Sequence, residues 1–118
     1  MCKVVSINSA ENYKWGNQCD GWHLLKTEEL SIIQEEVPPK ESEVKHYHKK
    51  SKQFFYVLEG KATIEVARKT NEINKNEGIF IEAGIEHQLF NNSEATLKFI
   101  VISSPKSHGD RVNVDENK

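Results

Sequence analysis

Residues 46–60 read His46-Tyr47-His48-Lys49-Lys50-Ser51-Lys52-Gln53-Phe54-Phe55-Tyr56-Val57-Leu58-Glu59-Gly60. The second half, residues 53–58, is a dense aromatic and β-branched run that Gly60 ends, which reads as a strand. Residues two apart on a strand point to one face, so Gln53, Phe55 and Val57 share a side while Phe54, Tyr56 and Leu58 take the other. The first half places His46 and His48 on one face as well. Their backbones stand about 7 Å apart along a strand, close enough for two imidazoles to converge on one ion.

Working outward, the strand pattern continues in both directions. Residues 30–34 are apolar and β-branched, and Pro38-Pro39 stops them. Ala62, Ile64 and Val66 alternate with Thr63, Glu65 and Ala67, the pattern of a half-buried strand. Residues 69–71 read as a turn with a short strand beyond it. Residues 79–81, 87–90 and 96–102 complete a set of about eight short strands with no convincing helix, an all-β sandwich or barrel by spacing. Periodicity does not choose among such folds.

A third histidine, His87, opens a later strand just after the turn at Gly84. With it the chain resembles the small single-domain cupins of the RmlC-like superfamily. In the first cupin motif His46 and His48 fit, Gln53 stands where the family has Glu, and Gly60 closes the motif. In the second, Gly84, His87 and Asn91 fit. Lys40 and Asn76 replace the leading glycines and Glu82 a proline. Lys40 and Asn76 fall at turn positions, where Asn tolerates left-handed geometry and Lys does so less well.

The resemblance implies a single double-stranded β-helix, the jelly-roll cupin barrel, over residues 28–103. Residues 1–27 then form a segment that packs Trp15 and Trp22 on the barrel or on a partner subunit, and residues 104–118 a polar tail. It also implies one divalent transition metal (Fe, Zn, Ni or Mn) on His46, His48 and His87. Gln53 is either a weak fourth ligand or a hydrogen-bonding group for a bound molecule. Imidazole donors favour such borderline metals over Mg or Ca. Phe55, Val57 and Leu89, with Ile64, are expected to line an apolar pocket beside the ion, into which Gln34 and Glu36 reach from an earlier strand. Tyr47 and Tyr56 point away from it, and Glu36 is the candidate base.

Composition narrows the partners. The 118 residues carry a formal net charge of −2, too weak to suggest nucleic acid or anionic lipid. No apolar run has membrane-spanning length and no signal peptide is legible, so a cytoplasmic protein is expected. Cys2 and Cys19 are too few for a disulfide framework. The resemblance implies a homodimer that buries Phe54 and Tyr56. His23 and His108 are read as surface residues, and residues 108–111, an odd His-Gly-Asp-Arg cluster, as part of the solvated tail or, through a sharp turn at Gly109, as charges folded back over a barrel mouth or a partner subunit. The loop at residues 49–52 is read as solvated too. The function expected is a mononuclear metal enzyme on a small organic molecule, a dioxygenase or an isomerase, lyase or cyclase. The alternative is a cupin that binds a sugar or metabolite without turnover.

Overall fold

The computed structural model describes residues 2–114; the last four residues of the expected tail lie outside them. Eleven strands and no helix make up the described chain. A six-stranded antiparallel sheet runs β1 (Glu11–Trp15), β2 (Cys19–Lys26), β3 (Ser31–Val37), β10 (Leu97–Ser104), β5 (Lys52–Glu59), β8 (Gly78–Ile81). A five-stranded one runs β11 (Arg111–Asn113), β4 (His46–His48), β9 (His87–Phe90), β6 (Ala62–Val66), β7 (Lys69–Ile73). The two pack face to face as a jelly roll.

Alternation is cleanest in the central strand. In β10, Leu97, Phe99, Val101 and Ser103 are buried while the residues between them are half-exposed. Its neighbour β5 buries Gln53, Phe55 and Val57. From the facing sheet Ala62, Ile64, Ile73 and Leu89 close the core. Each such aliphatic or aromatic side chain contributes about 1.5–3 kcal/mol when fully buried. Phe55 joins this core to the histidines: its ring centroid is 5.8 Å from Phe99 and 6.1 Å from His87.

Three segments differ from the sequence reading. Residues 11–26, which showed no clear period, form the β1–β2 hairpin that extends the larger sheet. The strand pair earns its stability by packing on β3, a term that local sequence does not report. Residues 69–71 are strand, because the turn falls earlier, at Ala67 and Arg68. Both have positive φ, 49° and 70°, the backbone a two-residue hairpin loop demands even where Asn-Gly is absent. The expected tail contains β11, which pairs with β4 and so lies beside the histidines.

The turn residues of the two motifs have clear reasons. Lys40 and Asn76 both sit at φ 67°, left-handed positions that a glycine takes without strain. Gly60 has φ 86°, and a Cβ there would come within 3.0 Å of the Thr96 carbonyl oxygen. Asn91, fully buried, holds a corner together. Its Nδ2 donates to the carbonyls of Val37, Pro38 and Ala95 at 2.8–3.1 Å, and its Oδ1 accepts from Ser93. Asn91→Ala removes the donor that the buried Val37 carbonyl shares with Pro38 and Ala95, and should cost about 1–3 kcal/mol in urea unfolding with little change in the cavity described below. A loss under about 0.5 kcal/mol, the ordinary range of a surface change, would remove this structural role.

Candidate metal centre and cavity

β4 is short, and its alternation buries His46 and His48 while Tyr47 turns outward. The register of β4 against β9 sets His87 directly opposite His46. Ring centroids lie 4.3 Å apart for His46–His87, 5.0 Å for His46–His48 and 5.9 Å for His48–His87. One nitrogen from each ring falls within 4.8 Å of the others. Nitrogen–metal bonds of about 2.0–2.1 Å let two ligands span at most about 4.2 Å, so the widest pair must draw in by a fraction of an ångström to share an ion.

The rings are oriented for that task. His46 Nδ1 is 2.9 Å from the Val44 carbonyl and His87 Nδ1 is 2.9 Å from that of Ile85. A ring that donates from Nδ1 keeps its Nε2 lone pair free, the arrangement seen in metal-bound imidazoles. His87 Nε2 and His48 Nδ1 are buried with no hydrogen-bond partner. Burial, with His87 adding to it, lowers the pKa of His46 to about 3 and of His48 to about 4, and burial lowers His87 as well. All three rings are neutral at pH 7 and competent as ligands. Three neutral rings, two of them with a bare buried nitrogen, fit a borderline divalent ion. Gln53 is 5% exposed; its Nε2 donates to Ser103 Oγ at 3.0 Å, which leaves Oε1 buried and unpartnered.

His46, His48 and Gln53 open on a cavity of about 340 Å³. Its apolar wall is Trp15, Ile33, Phe55 and Val101. Val57, Leu89 and Ile64 are not among its lining residues; they are about 1% exposed and packed into the core, one layer away from Phe55. The cavity is more polar than an apolar pocket, because Glu35, Glu43, Ser107, His108 and Arg111 also line it. Trp15, half-buried, forms part of this wall.

Glu35, rather than Gln34 or Glu36, reaches the interior. On β3 the inward phase is Ser31, Ile33, Glu35, Val37, so its even-numbered neighbours face away. Glu35 Oε2 accepts a 2.7 Å hydrogen bond from the Tyr13 hydroxyl. Burial pushes its pKa up to about 7, against the pull of Tyr13 and Arg111. Burial, then Glu35, raises Tyr13 in turn. Glu43 accepts from Leu89 N at 3.0 Å and lies 3.9 Å from His46 Nδ1 and 4.0 Å from Arg111 Nη1. Burial pushes it up to about 8. At pH 7 the carboxyl behind His46 is therefore mostly protonated and as neutral as the three rings.

The residue 107–111 segment forms one side of the cavity rather than a solvated tail. Asp110 accepts from Lys50 N at 2.9 Å and Ser51 N at 2.8 Å, which ties it to the loop after β4, whose Ser51 is 1% exposed. Arg111 is braced by Val44 O and Asn113 Oδ1. His108 is exposed yet stacks edge-on with Tyr13 and His23, at 5.4 and 4.9 Å. Sequence reasoning missed Tyr13, Glu35, Glu43 and Arg111. The phase of Ile33 and Val37 carried a signal for Glu35, and the odd cluster at residues 108–111 one for Arg111; nothing local marked Tyr13 or Glu43.

Residues 33–103 match the model of the cupin domain family. Among curated proteins, the tetracenomycin polyketide synthase protein TcmJ of Streptomyces glaucescens is 27% identical over 70 residues, 59% of this chain and 47% of that protein. The chain thus spans about half the length of this relative. Among solved structures, the polyketide cyclase RemF of Streptomyces resistomycificus superposes with a TM-score of 0.84 at 22% identity, covering 98% of this chain and 87% of that one. A sugar phosphate isomerase of Silicibacter pomeroyi superposes at 0.74 with 17% identity, over 88% and 76%. These likenesses establish the fold.

The Glu35 geometry has a consequence for stability. Its folded pKa of about 7 lies above the ordinary 4.5, so its contribution to stability is greatest at low pH and is lost as pH rises from 4.5 through about 7. Glu35→Gln keeps an acceptor for Tyr13 and cannot ionise. In metal-free protein it should match the parent's Tm near pH 5 and exceed it above pH 7. An equal Tm difference at both ends would show that the carboxyl titrates as it does in water.

Proposed function

This chain belongs to the cupin domain family, and from that premise we propose that it is a mononuclear metal enzyme that moves a proton on a small carbonyl compound, in isomerisation, elimination or cyclisation. One observation carries the reading: Glu35, a carboxyl poised near neutrality, lines the same 340 Å³ cavity as His46 and His48. A general base works best with its pKa near the working pH. The names polyketide cyclase and sugar phosphate isomerase, borne by two proteins of this fold, support the same class of reaction.

In this reading His46, His48 and His87 hold the ion. The ion, when bound, supplies Lewis acidity toward a substrate oxygen. Glu35 takes the proton adjacent to the carbonyl and returns it. The Tyr13 hydroxyl donates to the Glu35 carboxylate before the first transfer and after the second. Gln53 Oε1, fixed by Ser103, either approaches the ion or accepts from a substrate hydroxyl. Arg111 balances negative charge that develops in the cavity, and Trp15 and Phe55 give flat apolar faces that pack a ring and keep water out.

Elemental analysis of purified and metal-reconstituted protein tests the site. The parent should hold near-stoichiometric Fe, Zn, Ni or Mn, and His48→Ala should lose it. A panel of β-dicarbonyl compounds and sugar phosphates, followed for deuterium exchange in D2O, tests the reaction. Glu35→Gln should keep the metal and lose about 10²–10⁴-fold in rate. In the parent, kcat/KM should rise with pH through about 7, as Glu35 ionises beside Tyr13, Arg111 and Glu43. A protein that takes up no metal, or that binds panel members with neither exchange nor turnover, would instead be a cupin that only binds its ligand.

The same reading includes a homodimer. Phe54 and Phe80, paired across β5 and β8, are 38% and 51% exposed on the face away from the cavity. Light scattering should give twice the chain mass, and Phe80→Glu should halve it. A monomer in the parent removes this part of the proposal. Among the described residues no helix is long and apolar enough to cross a membrane. The free Cys2 and Cys19 agree with the reducing cytoplasmic setting that we assign to it.

A further inference from the structure

Strand β2 carries an irregularity that re-aims a basic side chain. His23 stands opposite Ile33; the pairing then slips, so that Leu25 meets Ile32 and Lys26 meets Ser31. On a regular strand, residues three apart face opposite sides. The bulge instead sets His23 and Lys26 on the one face that carries Ile33 and Ser31. These residues line a second cavity of about 40 Å³, completed by Lys106 and His108.

Two polar atoms of its lining residues, His23 Nδ1 and Ser31 Oγ, are buried without a hydrogen-bond partner. Folded chains rarely leave such atoms bare. Lys26 and Lys106 pair with Glu11 at 3.3 Å and Glu28 at 2.8 Å, both across exposed, screened contacts that leave the ammonium groups able to serve a buried anion. The cations repel one another: burial, then Lys26, lowers His23, and burial, then His23, lowers His108. The volume exceeds the roughly 10–15 Å³ that a water molecule needs and is far below that of the main cavity.

We propose that this second cavity binds a small oxyanion, a phosphate or carboxylate group, with Ser31 Oγ and His23 Nδ1 donating to its oxygens and Lys26 and Lys106 supplying the charge. None of these residues belongs to the histidine cluster, so the site stands apart from the metal reading. Ile33 and His108 form a wall common to both cavities. The occupant is therefore either a free anion or the anionic end of a molecule held in the larger space.

Calorimetric titration of the full chain with inorganic phosphate, and separately with phenyl phosphate, tests the site at low ionic strength. Phosphate should bind saturably. The Lys26→Gln/Lys106→Gln double variant should weaken it about tenfold or more. Ser31→Ala should weaken it as well, and His48→Ala should leave it unchanged. Equal affinity for the two probes identifies a free anion. Tighter binding of phenyl phosphate, with the gain removed by Phe55→Trp, identifies the end of a larger ligand. Unfolding curves of the lysine variant, which also breaks the exposed ion pairs to Glu11 and Glu28, confirm that the fold is intact. Absence of saturable binding by either probe would show that water alone fills the cavity. Binding lost in His48→Ala and kept in the lysine variant would place the anion at the histidine cluster. Either result overturns the proposal.

Discussion

A single residue pair, His46 opposite His87, holds the histidine cluster together. It brings together three imidazoles whose inner nitrogens have few alternative partners. The local pairing is brief, so other bonds fix the register. Glu43 N donates to Leu89 O and Asn91 N to Glu41 O, while Leu89 N returns to the Glu43 carboxyl. On the other side, Arg111 stands opposite His48 and Asn113 opposite His46 in β11. A slip of one residue would turn His46 and His48 outward and Tyr47 inward. The buried face of β4 and its two neighbours forbid that slip.

Around this cluster the cavity balances charges that the core would reject. Glu35 and Glu43 are held partly protonated by burial, Arg111 partly offsets them, and Tyr13 caps the first. Such an arrangement is poor for stability and good for chemistry, the usual sign of a functional site. Phe55 stands at the border, in contact with both Phe99 and His87. The packed core therefore fixes one side of the site while the mouth is built by β1 and the residue 107–111 segment. Gly109 bends that segment at φ 88°, and Asp110 pins it to the loop after β4.

Legibility in the sequence followed distance along the chain. Strand β9 was readable to the residue, and β6 to within one, its pattern running on into Ala67 where the chain turns. The three histidines were readable because motif spacing and strand phase agreed. Glu35 was readable in principle from Ile33 and Val37, yet the doublet Glu35-Glu36 hid which carboxyl belonged inside. The β1–β2 hairpin was not readable, since its apolar contacts come from Tyr13 and Trp15 against a distant core. Nor was the bulge in β2, which leaves no mark such as a glycine at Leu24.

The sequence by itself determined an all-β fold, the inward set Gln53, Phe55 and Val57, and three histidines on two strands. Alternation and local turn chemistry need only near neighbours to act. Only the tertiary structure decided that Tyr13, Glu35, Glu43 and Arg111 join them, and that Val57 and Leu89 pack instead of lining the cavity. Those four come from β1, β3, the approach to β4 and β11, elements spread from one end of the chain to the other. Their meeting depends on which strands pair and in which register, a property of the closed barrel that no local window of sequence contains.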